Sequence, residues 1–377
     1  MNHSDLDRNA YMLCGPHAKR GYLRWWHSFS GISTVTGKRR SFFVEYLILN
    51  PVPDPPKKPG IQRPSYVRVS AGVFPDGEEP GLQLHSHYPV SDAKYAKKPL
   101  YFQVGNNILR ENRICGQVSV DEIKAKRMSY YSEIGTMEWD VEVCKTIACH
   151  TGILASPFFC ALNALDSFFH GEGIKTHYRG LITLNGEDFE ISPDSCDGYA
   201  DKHWGREFNK PWLQLASCNL YSERTGKLLK HSALVIDGCC PRFLFFRFKP
   251  KMILQLTYTG EDFYYSFANP FSRTRLKWGT KESKHTFTWH VKAANQNSML
   301  KLTLQSPKET MMSIKYDKPQ YDIDLEAPSP RLKVGTEGFG TLDLYRLTPQ
   351  GKEWLDTLTI QNCLCEFEKP NKTASAK

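Results

Sequence analysis

No apolar run in this 377-residue chain is long enough to cross a membrane as a helix. The longest, 153–165, stops at 13 residues and contains Pro157 and Asn163, whereas a span needs about 20. There is no CxxC pair, and Cys144, Cys149 and His150 have no second half at zinc-finger spacing. The eleven cysteines therefore read as free thiols in a reducing compartment, with no metal site. A phosphate-binding glycine loop, HExxH and GxSxG are all missing. The glycines at 335, 338 and 340 have no βαβ context and read as a turn. Residues 1–20 hold no apolar core of a signal peptide, so a soluble, cytoplasmic protein is expected. Charge of one sign is scarce too. Lys and Arg number 49 against 40 Asp and Glu, and the basic clusters at 38–40, 124–127 and 249–251 are short. That pattern, without a nucleic-acid-binding motif, excludes nucleic acid as a partner. It leaves solvated surface, or peripheral contact with anionic lipid headgroups.

What the chain does have is aromatic surface: 21 Phe, 18 Tyr and 8 Trp, enough to line an apolar cavity as well as fill a core. A small lipophilic ligand is the partner this implies, with no cofactor. The oligomeric state is not encoded in any pattern.

Hydrophobic residues alternate with period two. Met137, Trp139, Val141 and Val143 share one face of a strand, and Glu138, Asp140 and Glu142 the other. Phe42, Val44, Tyr46 and Ile48 repeat this, as do Leu300, Leu302 and Leu304. Asn185-Gly186 supplies the positive φ of a type I′ hairpin, and Thr225-Gly226 marks another. The spacing predicts an all-β protein of two antiparallel barrel or sandwich halves, over 20–194 and 195–368. One segment breaks the period: Phe158, Leu162, Leu165 and Phe169 predict a short helix near 158–169.

His85-Ser86-His87 puts two imidazoles on one strand face. Two ligands alone are a weak metal signal, and a polar cluster at a turn is the simpler reading. The densest chemistry lies in Gly198-Tyr199-Ala200-Asp201-Lys202-His203-Trp204-Gly205, followed by Pro211-Trp212-Leu213-Gln214. On a strand, Tyr199, Asp201 and His203 share one face, and Lys202 and Trp204 the other. A carboxyl among aromatic rings is desolvated, so its pKa rises and it becomes a usable general acid. Aromatic faces also stabilise a developing cation. The plainer alternative is that Asp201 pairs with a Lys or Arg and Trp204 is core.

That segment, running on to Asn219, resembles the hallmark of the tocopherol cyclase-like family. Gly135-Thr136-Met137-Glu138-Trp139-Asp140 is similar to the family's upstream strand, and Asn362-Cys363-Leu364-Cys365-Glu366-Phe367 to its terminal one. Gly21-Tyr22-Leu23-Arg24-Trp25-Trp26 is similar, less closely, to its N-terminal motif. Three departures stand out: Asp201 where the family has Glu, His203 where Asn or Asp is usual, and Arg24 in place of an acid. Phe168-Phe169-His170-Gly171 also lacks the family's tyrosine. The resemblance implies two lipocalin-like β-barrels, related in fold to carotenoid hydratases. It also implies cofactor-independent protonation of a prenyl alkene, with a phenol oxygen or water capturing the cation. Asp201 would be the acid. His203 and Asn219 would orient polar groups, and Tyr199, Trp204, Trp212, Trp139, Trp25 and Glu138 would line the site. Two other readings stand beside it. One is a non-catalytic carrier of a hydrophobic ligand. The other is a glycan-active protein, in which Glu138 or Asp140 would pair with Asp201.

Overall fold

The computed structural model describes residues 9–53, 63–96, 98–127, 132–149, 167–194, 198–206, 212–239, 242–243, 246–247, 251–266, 273–315 and 331–368. These form two large antiparallel sheets, each curled around its own apolar interior. The first has 13 strands. Its long strand Tyr22–Ser33 pairs with Arg39–Leu49 on one side. On the other it pairs with Glu187–Ile191 and, over most of its length, with Tyr199–Gly205. The second sheet has 12 strands, with Trp212–Ser217 at its centre between Ala233–Cys239 and Gly351–Glu368. Sheet membership changes after Gly205, between Tyr199–Gly205 and Trp212–Ser217. The reason is that Tyr22–Ser33 is long enough to offer Tyr199–Gly205 a seven-residue ladder from Tyr22 to Ser28.

Local sequence explains the outer strands. Gly135–Ile147 buries every second residue from Met137 to Val143, the period of a strand with one wet face. Asn185 and Gly186 adopt φ of 50° and 87°, so Lys175–Leu184 and Glu187–Ile191 meet in a tight hairpin. The helix expected near 158–169 falls on residues outside the described set as far as 166. Ser167, Phe168 and Phe169 begin the strand Ser167–Gly173. The described residues hold one α-helix, Glu122–Arg127, and no helix long and apolar enough to cross a membrane.

Several strands break the alternation. Tyr22–Ser33, Arg39–Leu49, Tyr66–Val73, Tyr199–Gly205 and Trp212–Ser217 are buried on both faces. One face of each fills a barrel. The other meets the opposite sheet in a third apolar layer containing Tyr22, Trp26, Phe43, Trp212, Val235 and Leu364. A cross-sheet hydrogen bond from Gln83 Nε2 to Ser313 O, 2.9 Å, also ties the halves together.

Candidate functional site between the two sheets

Register sets the site. In the first sheet, Trp26 lies opposite Asp201 and Glu45, and Arg24 lies opposite His203. In the second, Gln214 lies between Asp237 and Glu366 on its two neighbouring strands. The rows face each other across the seam. Gly198, which leads into the Asp201 strand, has no room for a Cβ against Thr176 O and the Tyr178 ring. That close approach seats the strand.

Arg24 bridges the seam. Its Nε donates to Glu45 Oε1 at 3.0 Å and its Nη2 to Glu366 Oε1 at 2.8 Å, with every side chain involved fully buried. Arg68 Nη2 and Ser70 Oγ also donate to Glu45 Oε2, at 3.0 and 3.1 Å. Trp212 Nε1 donates to Glu366 Oε2 at 3.3 Å. The Arg24 guanidinium sits 4.3 Å from the centre of the Trp26 ring.

Asp201 is different. Gln214 Nε2 donates to its Oδ2 and to the Tyr199 hydroxyl. Oδ1 is buried with no hydrogen-bond partner among the described residues. No Arg or Lys ion pair reaches Asp201 or Asp237 among those residues; each instead lies 3.9 Å from His203 Nε2. Burial pushes Asp201 up to about 7, offset in part by the nearby Arg24 charge. Burial, reinforced by Asp201 and Glu366, also raises Asp237 well above the usual carboxylate range. Burial, helped by Arg24, holds His203 well below its ordinary value, so its imidazole is neutral. The site is therefore a buried carboxylic acid that keeps its proton near neutral pH, with one oxygen uncommitted. Its walls are aromatic. Phe169 and Trp212 flank the His203 ring at 4.9 and 4.5 Å, and Trp26 stacks on Phe43 at 5.0 Å.

Of the residues singled out from sequence, Tyr199, Asp201, His203 and Trp212 come together here. The others do not. Trp25, Trp139 and Trp204 point into the first barrel's interior. Trp25 Nε1 donates to Asn9 O at 2.9 Å, and Trp204 stacks on Phe168 at 5.4 Å. Strand alternation sends them to the face opposite Asp201. Glu138 and Asp140 are exposed on the outside of that barrel, with Asp140 paired to Arg113 at 2.6 Å. They cannot pair with Asp201 as glycosidase chemistry would require. Asn219 is half-buried, opposite Gln361 in another part of the second sheet. The sequence reading missed Gln214, Asp237, Glu366 and Glu45 as members of the site. Glu45, Asp237 and Glu366 each gave the same signal, a charge inside an otherwise apolar strand, and Gln214 and Glu366 lie within the quoted motifs. His85 and His87 hold no metal cluster among the described residues; His85 Nδ1 pairs with Ser70 Oγ at 2.8 Å.

A crevice between the sheets reaches the site at Tyr199, lined also by Ser28, Ile174, Gly198, Ala216 and Leu364. Apolar side chains line the described barrel interiors.

No family model matches the chain, and no curated protein matches it. Among solved structures it is similar to a protein described as AttH from Nitrosomonas europaea, at 12% identity and a TM-score of 0.43, covering 93% of this chain and 94% of that one. It is also similar to kievitone hydratase from Nectria haematococca, at 15% identity and a TM-score of 0.46, covering 96% of this chain and 93% of that one.

Proposed function

We propose that the inter-sheet site is a cofactor-independent general-acid site, in which Asp201 protonates an alkene of a small lipophilic substrate such as a prenylated phenol. Water or a phenol oxygen then captures the cation, giving hydration or ring closure. One observation carries this reading: Asp201 is fully buried, holds its proton to about pH 7, and leaves Oδ1 without a partner. An ordinary structural aspartate is ionised and paired. Trp212 and Tyr199 supply ring faces, each worth ~0.5–2 kcal/mol to a nearby cation; those of Trp26 are taken by Arg24 and Phe43. The crevice ending at Tyr199 has a volume of about 20 Å³, room for a water, so a substrate would enter only by displacing the side chains that line it. The resemblance of the 198–219 segment to cyclase sequences agrees with the same chemistry.

The test is deuterium incorporation. The full chain is incubated in D2O with a panel of prenylated phenols, and products are read by mass spectrometry and NMR. Deuterium at the former alkene carbon, absent with Asp201→Asn, is the expected result. Equal incorporation by Asp201→Asn would overturn the assignment.

A further inference from the structure

We infer that His203 and Asp237 form the path by which Asp201 regains its proton from solvent. This rests on the acid reading above. Asp201 has no exposed surface, so in the resting site its proton exchanges with solvent through the protein. The geometry offers one continuous set of groups. His203 Nε2 is buried, has no hydrogen-bond partner among the described residues, and is equidistant at 3.9 Å from Asp201 Oδ2 and Asp237 Oδ1. Of the three side chains, Asp237 alone reaches water, at 11% exposure against 0% and 1%. A shift of about 1 Å at either carboxyl brings it into hydrogen-bond range of Nε2.

The groups facing the trio leave this role open. Arg24 is committed to Glu45 and Glu366. Tyr199 accepts from Gln214, and burial raises its pKa. Tyr22, near Asp237, also has a raised pKa from burial. Gln214 lies opposite Asp237 and donates to Asp201, but its amide does not titrate and so does not relay the proton. In the resting site Asp237 keeps its proton and the His203 ring is neutral, so Nε2 is open to accept; the transfer is uphill there and is drawn forward once Asp201 has become a carboxylate beside the ring.

The steps balance. Asp201 gives its proton to the alkene carbon and becomes a carboxylate. Asp237 passes its proton to His203 Nε2, leaving an imidazolium between two carboxylates. Nε2–H then passes to Asp201, restoring the neutral ring, and Asp237 takes a proton from water. The nucleophile's own proton leaves to solvent, so none is gained or lost overall.

The test needs no substrate. The full-length protein is mixed rapidly into D2O, and infrared spectroscopy follows the carboxylic C=O band of protonated Asp201, assigned by its disappearance in Asp201→Asn. Exchange of that proton should be at least tenfold slower in Asp237→Asn and in His203→Gln, and restored in Asp237→Glu. A loosened fold would speed exchange rather than slow it. Wild-type exchange rates in both Asp237→Asn and His203→Gln would overturn the relay while leaving the acid intact. Absence of a protonated Asp201 band at pH 6 would instead refute the acid reading itself.

Discussion

Gln214 of the second sheet donates its side-chain amide to Asp201 of the first, so the carboxyl is positioned by a residue from the other half of the molecule. The arrangement exists only when the two curled sheets are docked. It ties the chemistry of Asp201 to the packing of the seam, and the seam variants below test that dependence.

Arg24→Met should be among the most damaging single changes. It leaves Glu45 and Glu366 buried with a shared counter-charge removed. Breaking a buried pair from one side costs about 3–5 kcal/mol, read as a large fall in Tm. Where the variant folds, Asp201 should titrate higher, because the Arg24 charge is what holds it down.

Asp201→Asn should alter the pH dependence of stability. The folded carboxyl binds its proton to about pH 7, and the unfolded one only to about 3.9. The folded state therefore carries more protons between those values, and the stability contributed by this group is lost as pH rises through that window. The slope approaches about 1.4 kcal/mol per pH unit. Chemical denaturation from pH 4 to 8 should show the variant gaining on the wild type as pH increases. Parallel curves would count against a raised Asp201. Turnover, if Asp201 is the acid, should fall by ~10²–10⁴.

Trp204→Leu and Trp212→Leu should separate cleanly. Trp204 fills the first barrel, so its truncation should cost ~2–4 kcal/mol through a cavity and leave the Asp201 titration in place. Trp212 packs on His203. Shortening it lets water toward Asp201, and since desolvation is the main cause of the raised affinity, the apparent pKa should fall. Infrared titration of both variants checks this.

Glu138→Ala should be nearly silent. The side chain is exposed on the outer face of its strand, and such surface changes stay within about 0.5 kcal/mol. A Tm shift of several degrees, or lost turnover, would restore Glu138 as a site residue.

The alternation of Met137, Trp139, Val141 and Val143, and the Asn185-Gly186 turn, determine strand and hairpin by themselves, because a period of two and a positive φ are local properties. The same local rule put Tyr199, Asp201 and His203 on one face. It could not say which of the two faces of that strand meets the other sheet, since both are buried. The tertiary structure decided that, and so sent Trp25, Trp139 and Trp204 into a barrel while bringing Trp212 to Asp201. Gln214, Asp237 and Glu366 come from three strands separated by long stretches of chain, and only the register between those strands places them in one row. The sheet boundary after Gly205 has the same origin: a hydrogen-bonding edge on Tyr22–Ser33, far away in sequence, claims the strand. The sequence determined what each segment could become. The docking of two sheets determined which carboxyl loses its water, and with that loss comes the proton it keeps near neutral pH.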